Sequence, residues 1–167
     1  MGILKLLDKN IERWALLVFY TMLVITMVVE VFRREIFAYS SIWGEEIVRF
    51  SFIYLVWIGA SAAVKDRAHI RIDVLFHYLS NRGKIILYIF GDLIMLVVAI
   101  FAFYYSFEFS WESTSVTDGL RLDKSWFSMA VPIGFALMLF RLLQSLYNDF
   151  GDLFAGREVY QGEKMFD

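Results

Sequence analysis

Apolar and polar positions in this chain are segregated into blocks and do not alternate. Trp14 to Val29 is a run of 16 residues without a charge, and Phe50 to Val64 a run of 15. Leu93 to Phe107 is another 15, preceded by Ile85–Gly91 with only Asp92 between, and Ser125 to Phe140 is a run of 16. A helix that crosses a hydrocarbon core of about 30 Å needs about 20 mainly apolar residues at 1.5 Å each. Admitting one flanking or internal charge extends the four runs to 14–32, 47–64, 85–107 and 126–147. A soluble four-helix bundle is the competing reading, but its helices would each keep a polar face. On a helical wheel Trp14–Val29 has none: Thr21, Thr26 and the Tyr20 hydroxyl are its only polar groups. The pattern therefore predicts an all-α integral membrane protein. It is a single membrane domain over 1–167 with four transmembrane helices and a cytoplasmic tail at 148–167.

Composition narrows the chemistry. Of the 167 residues, 59% are apolar against roughly 45–50% in a soluble domain, so an unfolded coil is excluded. No cysteine is present, which removes disulfides, cysteine-ligated metals and thiol nucleophiles. The balance of 16 Lys and Arg against 18 Asp and Glu has no basic bias, so a nucleic-acid partner is not expected. The basic residues are nonetheless distributed unevenly. Eleven lie in the N-terminal segment, the second loop and the C-terminal part, and five in the first and third loops. The positive-inside rule then places both termini in the cytoplasm. The first apolar run is too long for a signal h-region and no small-x-small site follows it, so it should stay as an anchor. Leu6 stands where a myristoylation pattern needs Ser or Thr.

Two stretches outside the spans carry a one-sided apolar pattern. Ile3, Leu4, Leu7 and Ile11 share one helical face, and Ile72, Leu75, Phe76 and Leu79 follow i, i+3, i+4, i+7 spacing. Both predict short interfacial amphipathic helices, lying on lipid or on a partner subunit. Trp14, Trp43, Trp111 and Trp126 fall at span ends, as an interfacial aromatic belt requires, while Trp57 is mid-span. Pro132 lies near the start of the fourth span. It has no N–H to offer a carbonyl near Ser128, and a kink is expected there.

Few charges are placed to carry chemistry. Glu45 and Glu46 precede Arg49 by four and three residues, so either carboxylate can reach the guanidinium on one helical face. Two readings are open: a locally neutralised Arg at the interface, or a contact with another subunit or a periplasmic partner. Asp92 is the acid inside the third span. It either pairs with a cation near the inner end of span two, Lys65 or Arg67, or lines a cation path. Glu30 precedes Arg33 and Arg34 by three and four residues and predicts an interfacial ion pair. The only histidines, His69 and His77, are in the second loop, which excludes a haem held by two in-span histidines. No metal-ligand spacing, phosphate loop or nucleophile–base pair is visible. No enzyme activity, cofactor or metal is expected.

The ordered motifs resemble a known family. Trp43-Gly44-Glu45-Glu46-Ile47-Val48-Arg49 is similar to the W-x-E-E-x-x-R signature of the small membrane subunit of TRAP (tripartite ATP-independent periplasmic) transporters. Trp57-Ile58-Gly59-Ala60 follows, then Lys65 to Asp73, which resembles a G-x-H-I-x-V-D-like loop, then Pro132-Ile133-Gly134-Phe135 with Arg141-Leu142-Leu143. Ala68 stands where Gly is common, and 118–126 lacks a proline often found before the last span. The resemblance implies a bacterial inner-membrane scaffold that works with a large membrane subunit and a periplasmic substrate-binding protein. The large subunit would hold the substrate and Na⁺ sites and move them as an elevator, importing an organic acid such as a C4-dicarboxylate or sialic acid. Trp43, Glu45, Glu46 and Arg49 would then serve assembly or docking, and His69 and Asp73 would anchor the cytoplasmic loop. The alternatives are a self-contained four-span homo-oligomeric antiporter or channel, and a membrane anchor for another complex.

Overall fold

A computed structural model describes residues 3–66, 81–113 and 115–155. Among these residues the helices are α1 (Ile3–Phe37), α2 (Ile42–Lys65), α3 (Asn81–Glu112), the single turn α4 (Ser125–Ser128) and α5 (Ala130–Ala155). Four of them are long and apolar enough to cross a membrane, and each contains one of the four predicted spans, the last shared between α4 and α5. Among the described residues the β-structure is one isolated bridge between Val116 and Asp123.

One local expectation is corrected. The stretch Ile3–Ile11 is not a separate interfacial helix; it forms the first turns of the 35-residue α1. Nothing between Asn10 and Trp14 is a helix breaker, so the hydrogen-bond ladder runs straight into the span. The second amphipathic stretch, at 72–79, lies outside the described residues. The interruption expected near Ser128 from the missing N–H of Pro132 falls at Met129, between α4 and α5. Helix α4 closes on Met129, whose N–H donates to the Ser125 carbonyl, and α5 restarts at Ala130. Pro132 thus sits in the first turn of α5, where its missing N–H costs least.

The helices pack as a row in the order α1, α2, α5, α3. Paired contacts give the directions. Tyr54 packs with Ala130, and Val64 with Met138 and Leu142, so α2 and α5 run parallel at the centre. Ala99 packs near Leu142, and Ile85 and Ile89 near Leu146, so α3 is antiparallel to α5. Phe19 stacks on Tyr54 at 5.0 Å and α1 is antiparallel to α2, which the four-residue turnaround 38–41, with Ala38 in the left-handed region, permits.

Small residues make the central crossing close. Ser51, Ser61, Ala62, Ala99 and Ala130 are buried. A Cβ on Gly134 would lie 2.5 Å from the Cβ of Trp57 and 3.1 Å from its carbonyl oxygen, so the two backbones approach as only glycine allows. This is the packing expected where lipid supplies no hydrophobic drive between helices and close contact has to hold them. The edges are different. None of the most apolar 18 residues of α1 is buried, and α3 exposes Ile94, Val97, Val98, Phe101, Tyr104 and Tyr105. A row has two broad faces and two edges, and most of its apolar surface is left for lipid or a partner.

Candidate functional site

The polar groups are concentrated at the two ends of the row. At the end where α2 begins, Glu46 is buried although it lies in the first turns of a helix. Its Oε1 accepts the N–H of Gly119 at 2.7 Å and its Oε2 the N–H of Leu120 at 2.8 Å. One carboxylate thereby satisfies two backbone donors of the 113–124 connection, and charge-assisted bonds of this kind are the stronger class. The connection is folded on itself. Thr117 N–H donates to the Leu122 carbonyl at 2.8 Å, Leu122 N–H to the Thr117 hydroxyl at 3.1 Å, and Arg121 holds a positive φ of 53°. Its tip leaves Asp118, Arg121 and Lys124 exposed. Below it, the Tyr54 hydroxyl donates to the Trp126 carbonyl at 2.8 Å, within an aromatic group that includes Phe19, Phe50 and Phe127.

Beside this clamp the end of α1 is tied to the start of α2. Glu30 accepts from both the backbone N–H (3.3 Å) and the hydroxyl of Ser41, and lies 3.6 Å from Arg33. The predicted Glu30–Arg33 pair therefore forms, whereas Arg34 turns to Glu35 at 3.5 Å. The Arg33 guanidinium lies over the rings of Tyr39 (5.1 Å) and Trp43 (5.2 Å), a cation–π contact that gives Trp43 a specific role beyond an interfacial belt. A Cβ on Gly44 would collide with the Glu30 carboxylate, so the glycine of the W-G-E-E stretch makes room for it.

Sequence spacing is misleading at Arg49. Neither Glu45 nor Glu46 forms an ion pair with it among the described residues. Glu46 points instead to the connection before α4, which helical periodicity on α2 cannot reveal. Glu45 and Arg49 are exposed and line a pocket between α1 and α2.

At the opposite end, three helices meet on one buried carboxylate. Glu12 of α1 is 1% exposed. Its Oε1 accepts from Arg141 Nε of α5 at 2.5 Å, and its Oε2 from Lys65 Nζ of α2 at 3.1 Å. Arg141 also donates to Gln144 at 2.7 Å. Lys65, one of the two cations considered for Asp92, has Glu12 as a partner across the contact of α1 with α2. Asp92 lies half-buried on α3, at the far edge. His69 and Asp73 lie outside the described residues. Sequence reasoning missed Glu12, which looked like the polar side of an interfacial helix. The available signal was Arg141, a cation inside a predicted span that needs an anion at the same depth. No group of three or more His, Cys, Asp or Glu among the described residues is placed to hold a metal ion.

Comparison with known proteins fixes the setting of this arrangement. Residues 23–152 match the family model for the DctQ component of tripartite ATP-independent periplasmic transporters. Among curated relatives, the isethionate TRAP transporter permease protein DctMQ of Oleidesulfovibrio alaskensis is 30% identical over 87% of this chain. The chain spans only 24% of that protein's length. The sialic acid TRAP transporter small permease protein SiaQ of Vibrio cholerae is 24% identical, with 87% of this chain and 86% of the relative aligned. The C4-dicarboxylate TRAP transporter small permease protein DctQ of Vibrio cholerae is 26% identical over 81% of this chain and 69% of its own length. Each of these relatives is named a permease protein. With four apolar helices of spanning length and a family model covering most of its residues, this multi-pass membrane protein belongs to the DctQ component family of tripartite ATP-independent periplasmic transporters.

Proposed function

We propose that this chain is the fixed membrane scaffold of a TRAP transporter in the bacterial inner membrane, with both termini in the cytoplasm. A large membrane subunit packs on the row of helices, carries the substrate and Na⁺ sites and moves them as an elevator. A periplasmic binding protein delivers an organic acid of the C4-dicarboxylate, sialic acid or isethionate kind, the substrates in the names of its relatives. The observation that carries the reading is the row itself. Two of its buried carboxylates are spent on tying helix ends together, at Glu12–Lys65–Arg141 and at Glu46–Gly119–Leu120, while broad apolar surface on α1 and α3 faces outward. A relative about four times as long, of which this chain matches one part, supports a stable association with a larger membrane body.

Within this reading, Glu46 and Trp43 shape the periplasmic end, and Glu45 and Arg49 present charge beside it for assembly or docking. Asp92 balances charge on α3 near the inner leaflet. His69 and Asp73 anchor the cytoplasmic loop. The test is reconstitution of the large subunit in proteoliposomes, with the binding protein, with and without this chain. Na⁺-driven uptake is expected to collapse without it, and unchanged uptake would refute the scaffold.

A further inference from the structure

The pocket between α1 and α2 has features that neither helix tie explains. It measures about 400 Å³ and opens to the surface of the row. Its lining changes character along the helix axes. Met27, Val31 and Phe52 form the part nearer the middle of the span, and Arg34, Glu45 and Arg49 the part nearer the helix ends. Most of the charge around it is already used: Glu30 by Ser41 and Arg33, and Arg34 by Glu35. Glu45 and Arg49 remain, one anion and one cation, each exposed and without an ion pair among the described residues. They stand one helical turn apart on α2, on the same side.

We propose that this pocket is a binding site for one zwitterionic phospholipid with an ethanolamine headgroup. Arg49 takes the phosphate, as guanidinium groups do with two parallel donors. Glu45 takes the ammonium, which a two-carbon bridge holds about one helical turn from the phosphate. An acyl chain descends over Val31, Met27 and Phe52. The apolar-to-charged gradient parallel to the helices selects a lipid over a soluble anion, because only a lipid presents both chemistries in that order and at that depth. An uncharged headgroup would leave Arg49 unmatched, and a purely anionic one would meet Glu45.

The experiment uses the full chain in the membrane of cells that express it. Val48, on the pocket wall, is replaced by the photo-crosslinking residue benzoylphenylalanine, and adducts are identified by intact mass after irradiation. In parallel, native mass spectrometry counts phospholipid retained by the chain in mild detergent. A phosphatidylethanolamine adduct is expected, with retention falling at least fivefold in a Glu45→Gln, Arg49→Gln variant and in the pocket-filling Val31→Phe variant. An adduct to another protein, equal retention of phosphatidylglycerol, or retention unchanged in both variants would overturn the assignment. None of these results depends on uptake, so failure here is distinct from failure of the scaffold reading.

Discussion

Replacing Glu12 by Gln keeps the size and one acceptor oxygen but removes the charge that Lys65 and Arg141 share. Their side chains are 9% and 3% exposed, and that of Glu12 is fully buried. Breaking a buried pair by neutralising one partner costs about 3–5 kcal/mol, because the remaining charge stays desolvated. Two features favour the lower end here. Gln can still accept from one cation, and the long Lys65 stem lets its ammonium shift toward the headgroups. About 3 kcal/mol is therefore expected, roughly a hundredfold in the folded-to-unfolded ratio at 1.4 kcal/mol per decade. At about 2–4 °C per kcal/mol for a chain of this size, the midpoint falls by about 6–12 °C. The assay is thermal unfolding of the purified chain in mild detergent, followed by tryptophan fluorescence. The double variant Glu12→Leu, Arg141→Met should lose less than Glu12→Gln alone, since it removes the buried guanidinium together with the carboxylate that neutralises it. A Glu12→Gln midpoint within 1–2 °C of wild type, less than about 1 kcal/mol on the same scale, would refute the buried tie. A double variant worse than the single one would refute the electrostatic account of it.

Glu46→Ala should free the N–H groups of Gly119 and Leu120 and loosen the connection, so trypsin should cut after Arg121 several-fold faster in vesicles that expose this face; an unchanged rate would remove the clamp. Gly134→Ala should destabilise by about 1–3 kcal/mol through overpacking, and Trp57→Ala should not rescue it, because the colliding atoms are the Trp57 Cβ and backbone. Gly44→Ala should behave oppositely: its collision is with the movable end of Glu30, so Glu30→Ser should restore stability measured by the same thermal assay.

The difference between those two glycines illustrates what could be read at each level. Both occur in motif-like stretches, and sequence alone gives no reason to treat them differently. Gly134 meets backbone on a parallel neighbour, and Gly44 meets a side chain from the preceding helix. The charge pairs divide in the same way. Glu30 and Arg33 are three apart on one helix, and that pair was legible. The same rule pairs Glu46 with Arg49, yet the partners of Glu46 are 73 and 74 residues away. A buried carboxylate is claimed by whichever donors the fold brings closest, and unpaired backbone N–H groups at a tight connection outcompete a guanidinium free to reach solvent.

By itself the sequence determined the four spans, the all-helical class and the family motifs. Those features depend on hydropathy averaged over about 20 residues and on short local spacing, both of which are properties of one segment at a time. Tertiary structure decided the row order, the parallel pairing of α2 with α5, and the meeting of Glu12, Lys65 and Arg141. In lipid the apolar faces are nearly interchangeable, so hydrophobicity does not choose neighbours. Close approach at small residues and the matching of a few buried charges make that choice, and both require residues far apart in the chain to be seen together.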